Sequence, residues 1–465
     1  MSIDIDRRDF LKTGAAAVAA FQAKNVLGAN DRVRIAVIGL RGRGLNHIQS
    51  IHGTPNVELA AICDIDEGVI AERLGSIEKL GMPKPQSFGD VRKLLEDKSI
   101  DAITIATPNH WHSLMAIWGC QAGKDVYVEK PCSHNWYEGK QLVAAANKYN
   151  RIVQHGTQSR SSIGAKEAIK HLRDGLVGDV YLARGLCYKW RDTIGRTPKS
   201  AVPAGVNYDL WLGPAPDRGF SKNRFHYTWH WFWDTGNGDL GNQGIHEVDT
   251  ARWGLGVGFP TKVSAIGGHV MFDDDQETPN ILNVAYEFNS PNAPRRLMEF
   301  EVRHWMTNHE ADIGTWGRST LPPAGLSTPA AKPAANMGPV SGKPGTIGNI
   351  YYGPKGFLAI QEYESYKSWL GDKNEPGPEG KGKENHFANF IDCVRSRKKE
   401  DLSAPVEEGH ISCTLVHLAN VSYRLGRTLN FDPAKEEVIN DAEANRMLRE
   451  ADRGYRKGFE IPKIA

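Results

Sequence analysis

The first residues able to do chemistry are glycines. From Arg32 the chain reads RVRIAVIGLRGRG, an apolar run of strand length over 33–38 that breaks at once into Gly39, Gly42 and Gly44. A strand, a glycine turn and a helix make the cradle in which backbone N–H groups and a helix N-terminus bind a dinucleotide pyrophosphate. The usual spacing is G-x-G-x-x-G. Here Gly39 and Gly44 hold the outer places, Arg41 stands in the middle place, and Gly42 follows one residue later. The glycines alone fit a plain strand–turn–helix equally well. Asp64 adds the second part of the pattern: it ends the next apolar run, about 25 residues after Gly39, near the ~20 of the fingerprint. A carboxylate there accepts hydrogen bonds from ribose hydroxyls and repels a 2′-phosphate, so the expected cofactor is NAD rather than NADP. Gly39, Arg41, Gly42, Arg43, Gly44 and Asp64 are the first candidate cofactor ligands.

Two further strand ends should converge on the same crevice, because ligands of an open parallel sheet bind outside the carboxyl ends of its strands. Thr107, Pro108, Asn109, His110 and His112 follow one apolar run, and Glu129 and Lys130 end the next. A lysine there is mobile and cationic, and burial can lower its pKa. That suits a hydrogen bond to a substrate hydroxyl beside a nicotinamide, although position alone fits a surface lysine too. Downstream, residues 190–253 hold six of the twelve tryptophans, with Arg191, Tyr208, Arg224, His226, His230 and Trp231 among them. Aromatic faces stack on the apolar faces of sugar rings, and polar neighbours bond the hydroxyls. Arg191, Tyr208, His226, His230 and Trp231 are the candidate substrate residues, and about half of the six tryptophans are expected in the core. The irregular string WHWFWDTGNG reads as a loop over the site.

The elements that must position these groups alternate. Strands are expected at 33–38, 57–64, 101–108, 124–131 and 151–156, with helices at 45–52, 66–80, 110–123 and 135–149. Continuous apolar strands alternating with helices indicate a parallel sheet covered on both faces, wound right-handed. In the second half, strands are expected at 178–189, 260–271, 281–288 and 295–303, and helices at 384–396 and 406–426. Residues 315–347, rich in Gly, Pro, Ala and Ser, read as an irregular excursion.

Length and composition bound the rest. A chain of 465 residues with 40% hydrophobic residues is an ordinary multidomain globular protein. A net charge of +2 offers no global field for nucleic acid or an anionic membrane, and no apolar run reaches the ~18 residues of a spanning helix. Arg7 and Arg8 precede Phe10, Leu11 and an Ala-rich stretch. Paired arginines, an apolar segment and small residues read as a twin-arginine export signal, which places the mature protein in the periplasm or beyond. The six cysteines form no CxxC and no metal-ligand spacing. Cys63 and Cys120 lie in apolar runs and read as buried thiols, and no metal site is expected.

Taken together, IAVIGLRGRG, CDID, ATPNHWH, EKP and GNQGIHEVD resemble the glucose–fructose oxidoreductase / inositol dehydrogenase / MocA family. The fuller string EKPCSHN is similar to an exported, sugar-active branch. The resemblance spans about 32–433. It implies an N-terminal Rossmann domain with a doubly wound parallel sheet, and a C-terminal α/β domain with a large, mostly antiparallel sheet that often supports homo-oligomers. The domains would be a signal at 1–29, a cofactor domain at 30–157, a substrate domain at 158–433 and a tail at 434–465. By resemblance Lys130 matches the catalytic lysine and His246 the acid/base residue. Asn242 matches a position that is commonly aspartate; an amide still hydrogen-bonds but holds no negative charge. The implied activity is NAD-dependent hydride transfer from a sugar or glycoside hydroxyl, and the coexistence of an NAD crevice with an export signal adds the expectation that the cofactor is retained and recycled. Two alternatives stand beside it: a redox-neutral glycoside hydrolase or lyase working through a keto-sugar, and a non-catalytic sugar-binding protein.

Overall fold

The computed structural model describes residues 32–291, 293–304, 346–449 and 454–464. The export signal expected over 1–29 and nearly all of the stretch at 315–347 lie outside them.

The first half is a parallel sheet with helices on both faces. Its elements are β1 (Val33–Ile38), α1 (Gly42–His52), β2 (Val57–Cys63), α2 (Glu67–Lys79), β3 (Gln86–Phe88), α3 (Val91–Glu96), β4 (Ala102–Ile105), α4 (Asn109–Gln121), β5 (Asp125–Val128), α5 (Trp136–Lys148) and β6 (Val153–His155). The strand order is β3-β2-β1-β4-β5-β6, every pair parallel. The order reverses beside β1, the switch point where such sheets bind dinucleotides. β1 is apolar on both sides because both sides are covered: Ile35, Ala36 and Val37 are fully buried. Only β3 and α3, short and weakly patterned, escape the sequence pattern.

Three of the five helix starts here are capped by side chains; α4, which follows Pro108, and α1 are not. Asp66 accepts from the N–H groups of Gly68 and Val69, Asp90 from Arg92, and Asn135 from Glu138. At α1 the N-cap is Arg41, which makes no side-chain cap. The orphan amides at that terminus stay available to a ligand anion. The helix also begins at Gly42, three residues earlier than 45.

Two of the three glycines in this turn are dictated by packing. Gly39 has φ +82°, and a Cβ there would lie 2.7 Å from the Ala106 carbonyl oxygen. A Cβ on Gly44 would lie 1.9 Å from the Gly39 carbonyl oxygen. A Cβ on Gly42 would meet nothing within 4 Å. The outer glycines shape the turn and the middle one leaves its outer side open.

The second half adds α6 (Ile163–Arg173), β7 (Leu182–Tyr188), α7 (Tyr208–Leu212), α8 (Gly238–Asn242), α9 (Gly244–Leu255), β8 (Lys262–Gly268), β9 (Ile281–Ser290), β10 (Ala293–Arg303), β11 (Thr346–Gly353), β12 (Gly356–Gln361) and β13 (Ser365–Leu370). It continues with the short β14 (Glu375–Pro376) and β15 (Gly380–Lys381), α10 (His386–Ser396), α11 (Val406–Leu425), β16 (Leu429–Asp432), β17 (Glu437–Val438) and α12 (Ala442–Arg449). Among the described residues the sheet has 11 strands, ordered β14-β13-β12-β11-β7-β10-β9-β8-β16-β17 with β15 on β13. Of their pairings, β10–β7 alone is parallel; the others are antiparallel, as the family resemblance implies. One face packs under α9 and α11, burying Val263, Val284, Tyr286, Met298 and Phe300. The other alternates outward, with Glu287, Glu299 and Glu301 beside exposed Ile266 and Leu297. All six cysteines are buried and unbonded. No helix among the described residues is long and apolar enough to cross a membrane.

The glycine geometry yields a contrast measurable by urea unfolding. Gly44→Ala, forced against the Gly39 carbonyl, should cost about 1–3 kcal/mol as an overpacking substitution. Gly42→Ala should stay within about 0.5 kcal/mol of wild type, as an unconstrained surface change.

Candidate active site

The carboxyl ends of β1, β2, β4 and β5 form one crevice. Asp64, just past β2, is pinned by the backbone: its Oδ2 accepts from Leu40 N–H at 2.8 Å and its Oδ1 from Asp66 N–H at 3.1 Å. Burial pushes its carboxyl up, and the backbone N–H bonds from Leu40 and Asp66 oppose that. Arg41 and Gly42 lie exposed at the mouth. The uncapped α1 terminus, the open side of Gly42 and the Asp64 carboxylate fit a dinucleotide: amides for the pyrophosphate, an acceptor for ribose hydroxyls. Thr107 and Pro108 stand half-buried at the end of β4, with Pro108 starting α4.

Five of the expected cofactor ligands, Arg43 among them, are engaged elsewhere. Glu129 is buried, and its Oε1 receives Arg43 Nε at 2.6 Å, His47 Nε2 at 3.1 Å and Gln158 Nε2 at 3.3 Å. Burial alone would raise the Glu129 carboxyl, but Arg43 and His47 outweigh it and hold the group well below the usual range. It anchors α1 to β5 and turns the Arg43 head inward. Asn109 donates to Asn237 Oδ1 at 3.0 Å, joining the two halves of the chain. The His110 ring lies between the carbonyls of Trp211 and Thr235, at 3.0 and 3.3 Å. The His112 ring lies between those of Thr107 and Pro131, each at 2.7 Å. A polar residue after a strand end is as easily recruited to hold loops as to hold a ligand.

Lys130 is the centre of the remaining cluster. Its Nζ donates to the Asn242 backbone carbonyl at 2.7 Å and to Asn242 Oδ1 at 3.1 Å. Burial lowers its pKa to about 8, with the neighbouring Glu129 charge pulling the other way. The Asn242 Nδ2 in turn donates to Asp239 Oδ1 at 3.1 Å. The negative charge missing at position 242 is therefore present one helical turn earlier, and it reaches Lys130 through an amide. His246 lies on the following turn, inside α9. Its Nδ1 is buried with no hydrogen-bond partner. Burial, reinforced by the Lys130 charge, holds the imidazole well below its ordinary pKa, so the ring is neutral and its unpartnered nitrogen can accept a hydrogen bond.

The substrate candidates divide. Arg191 forms a two-toothed pair with Asp239, at 2.9 and 3.2 Å, and bonds the Tyr227 hydroxyl at 2.8 Å. His230 stacks on Trp229 with ring centres 3.6 Å apart, and burial with the nearby Lys130 charge lowers its pKa to about 3. These two belong to the Lys130 cluster. Trp231 is buried under the Arg191 guanidinium, 5.4 Å from its ring centre, and serves as packing. Tyr208 stacks on Trp211 in a cluster with Phe220 and Phe225, its hydroxyl on the Gly219 carbonyl. His226, at φ +60°, meets Arg41 at the crevice mouth, 3.4 Å away. Of the six tryptophans, Trp211 and Trp231 are buried and four are half-buried, fewer core members than expected. The 222–237 segment is irregular, with two short 3-10 turns, as its sequence implies.

Several site residues carry no motif signal. Asp239 is fully buried between Arg191 and His304, whose Nε2 lies 3.0 Å away. Lys189 Nζ donates to Gln243 Oε1 at 2.6 Å, while Gln243 Nε2 reaches Glu247 Oε1 at 3.1 Å and also the Tyr363 hydroxyl. Burial raises the Glu247 carboxyl to about 8, and its Oε2 has no hydrogen-bond partner. Tyr363 lies 5.1 Å from the His246 ring, centre to centre. Asp239 and Glu247 stand in the string GDLGNQGIHEVD, where a scan for acids within four residues of Asn242 and His246 finds them, and Gln243 directly follows Asn242. Lys189 and Tyr363 come from β-strand ends whose convergence only the fold reveals.

An amine of pKa near 8 beside a neutral imidazole can move a proton to and from a hydroxyl. Comparison with known proteins places this geometry. The pattern of an oxidoreductase family with an NAD-binding Rossmann fold, GFO_IDH_MocA, matches residues 33–157, and that of the family's C-terminal alpha/beta domain matches 166–278 and 349–457. Residues 4–21 match the twin-arginine translocation signal. Glycosyl hydrolase family 109 protein 1 of Shewanella sp. (strain ANA-3) is 33% identical over 206 residues, 38% of this chain and 44% of that protein. The chain thus spans less than half the length of this curated relative. Among solved structures, the WlbA dehydrogenase from Bordetella pertussis in complex with NADH and UDP-GlcNAcA matches at TM-score 0.59 and 19% identity, over 86% of this chain and 99% of that one. The aldose-aldose oxidoreductase from Caulobacter crescentus complexed with glycerol matches at TM-score 0.59 and 18% identity, over 86% and 100%. At such identities the likeness is one of fold. The two matched domains cover most of the chain between them, and with the signal ahead of them the chain belongs to the oxidoreductase family built on an NAD-binding Rossmann domain, in an exported, twin-arginine form.

Proposed function

We propose that the protein oxidises a hydroxyl of a sugar or glycoside, with Lys130 and His246 handling the proton. The observation that carries this reading is Lys130 itself: its Nζ is held by Asn242 at the carboxyl end of β5, beside a neutral imidazole with a free ring nitrogen. Bound NAD supplies the hydride acceptor. The reacting carbon loses a hydride, its hydroxyl loses a proton, and a ketone remains. Lys130 Nζ, as the free amine, takes the hydroxyl proton. His246 Nδ1 accepts a hydrogen bond from the substrate and serves as the second acid/base group, while the hydroxyl proton stays on Lys130 until it is returned to the substrate or lost to solvent. Arg191, fixed on Asp239, and His230, stacked on Trp229, wall the sugar side. Sugar specificity draws support from the structural neighbours, one a dehydrogenase in complex with UDP-GlcNAcA and another an aldose-aldose oxidoreductase.

Export adds a constraint. The twin-arginine route carries folded proteins, and a protein outside the cytoplasm has no ready soluble pool to reoxidise released NADH. The cofactor therefore travels inside the protein and is recycled there, so each hydride taken from substrate returns to a substrate carbon. The glycosyl hydrolase family 109 relatives favour a second reading of the same step. A ketone acidifies the adjacent C–H. Elimination of the glycosidic oxygen, addition of water and re-reduction then cleave a glycoside with no net redox change.

Protein purified without added nucleotide should hold close to one NAD per chain, read by absorbance after denaturation. Nucleotide-free protein that turns over only with added NAD would refute retention. A panel of monosaccharides and chromogenic glycosides, followed at the NADH band and by aglycone release, separates oxidation from cleavage.

For Lys130→Met, kcat/KM should fall by at least about 10³, in the range for loss of an acid/base group and its hydrogen bonds. The wild-type profile should rise with pH and level above about pH 8, where Lys130 loses its proton; the variant should lack that limb. Its stability should move the other way. Because the folded pKa lies below the ordinary 10.5, the wild type bears the cost of a buried ammonium in full below pH 8. The variant should gain on the order of 1–3 kcal/mol at pH 7, a gain that shrinks between pH 8 and 10.5. Asp239→Asn, which strands the buried Arg191 charge, should instead lose about 3–5 kcal/mol in urea unfolding.

A further inference from the structure

Beneath the Lys130 loop, three soft side chains from distant parts of the sequence meet. Cys132 follows Lys130 by two residues, His155 closes β6, and Cys413 lies in α11. The sulfur atoms of Cys132 and Cys413 are 3.7 Å apart. Together with an imidazole nitrogen of His155, all three ligand atoms lie within 4.8 Å of one another. Each of the three residues is 0% exposed. The His155 Nδ1 faces the Thr157 hydroxyl at 3.4 Å, while its Nε2 is buried without a hydrogen-bond partner.

The surrounding backbone fixes these positions independently of the sulfurs. His155 N–H donates to the Ala404 carbonyl at 2.9 Å, and the Cys132 carbonyl accepts from Ser113 Oγ at 2.8 Å. Gly409 lets α11 come close, since a Cβ there would stand 2.8 Å from the His155 ring. None of the three groups bonds Lys130, Asn242 or His246, so the proposed hydroxyl oxidation leaves them without a task.

We propose that Cys132, His155 and Cys413 form a buried binding site for one soft metal ion of the zinc or copper(I) class. Thiolate and imidazole are the ligands such ions prefer. Two sulfurs bound to zinc at about 2.3 Å in a tetrahedral arrangement stand about 3.8 Å apart, close to the spacing found here, whereas a disulfide needs about 2.05 Å. Two thiolates also neutralise a divalent ion, which suits a buried site; zinc would complete its four-coordinate shell with one further ligand such as a water. Binding replaces two S–H bonds with two metal–sulfur bonds and releases two protons. The sequence hides the site because its ligands come from positions 132, 155 and 413, with none of the short spacings by which metal motifs are recognised. The ion would enter as the chain folds in the cytoplasm and leave with it by the twin-arginine route. It would tie the loop that carries Lys130 to β6 and α11.

The full-length protein answers the question without an assay of activity. Elemental analysis after expression with zinc(II), and separately after anaerobic reconstitution with copper(I), should give close to one ion per chain that survives gel filtration. Cobalt(II) in place of the native ion should give sulfur-to-cobalt charge-transfer absorption in the near ultraviolet and strong visible bands. Cys413→Ser and Cys132→Ser should each abolish those bands. If either variant fails to fold, His155→Ala and the wild-type cobalt spectrum still decide the matter. Wild-type protein that retains neither metal, shows no cobalt–thiolate band and titrates six free thiols overturns the proposal. So does exported protein in which peptide mapping finds Cys132 and Cys413 joined as a disulfide.

Discussion

One buried carboxylate holds the site together. Asp239 has no exposure to water and stays ionised, a state that costs several kcal/mol of desolvation unless charge and hydrogen bonds offset it. The offset comes from three directions: the Arg191 guanidinium, the His304 ring and the Asn242 amide. The last of these has the functional consequence. An amide that gives its N–H to Asp239 must turn its oxygen the other way, and that oxygen, with the backbone carbonyl of the same residue, receives Lys130. The chain of contacts Arg191–Asp239–Asn242–Lys130 runs from the strand end after β7 to the strand end of β5. It therefore fixes the two halves of the protein at the point where they share the site.

Glu129 does the corresponding work on the cofactor side, and the two carboxylates together set the character of Lys130. Burial drives the ammonium toward the neutral amine, while Glu129 and Asp239 draw it back toward the charged form. Both carboxylates already satisfy a guanidinium, Arg43 in one case and Arg191 in the other. Their charge is thus partly spent before it reaches Lys130. Two free carboxylates would hold the lysine protonated, and none would leave a buried cation unsupported. The paired arrangement leaves an amine that titrates near the working range, the condition for general acid–base work.

The fold was legible because its signals are local. Four of the six parallel strands, β1, β2, β4 and β5, are dominated by apolar residues with glycine or proline close by, and α2, α3 and α5 carry side-chain caps. β11, β12 and β13 were not legible: Gly348 and Gly356 interrupt their alternation, and those glycines are there because neighbouring backbones approach within 2.4 and 2.1 Å of where a Cβ would be. At the site, the turn glycines, Asp64 and Lys130 follow from strand ends, and His246 and Asn242 from resemblance. Glu129, Asn109, His110, His112, Tyr208 and Trp231 also sit in plausible places, but the structure gives each another partner. Residue type and sequence position do not say whether a polar group points into a crevice or back into the scaffold. Lys189 and Tyr363 show the converse, since nothing but tertiary convergence marks them.

Oxidation and glycoside cleavage make different demands on this geometry. In the proposed oxidation, removal of a hydride and a proton falls to Lys130, His246 and the cofactor. Cleavage also needs a proton donor for the departing oxygen. Glu247, protonated up to about pH 8, is next to His246 in sequence, but adjacent residues on a helix point about 100° apart. Its carboxyl turns instead to Gln243, and its Cβ lies against Gly185 of β7. Tyr363 is better placed: its ring neighbours that of His246, and burial keeps its hydroxyl protonated. That hydroxyl is held by Gln243, whose amide is itself oriented by Lys189 and Glu247. The network with no motif signature is thus the part of the site on which the difference between the two reactions turns, while the residues recognisable from sequence serve both.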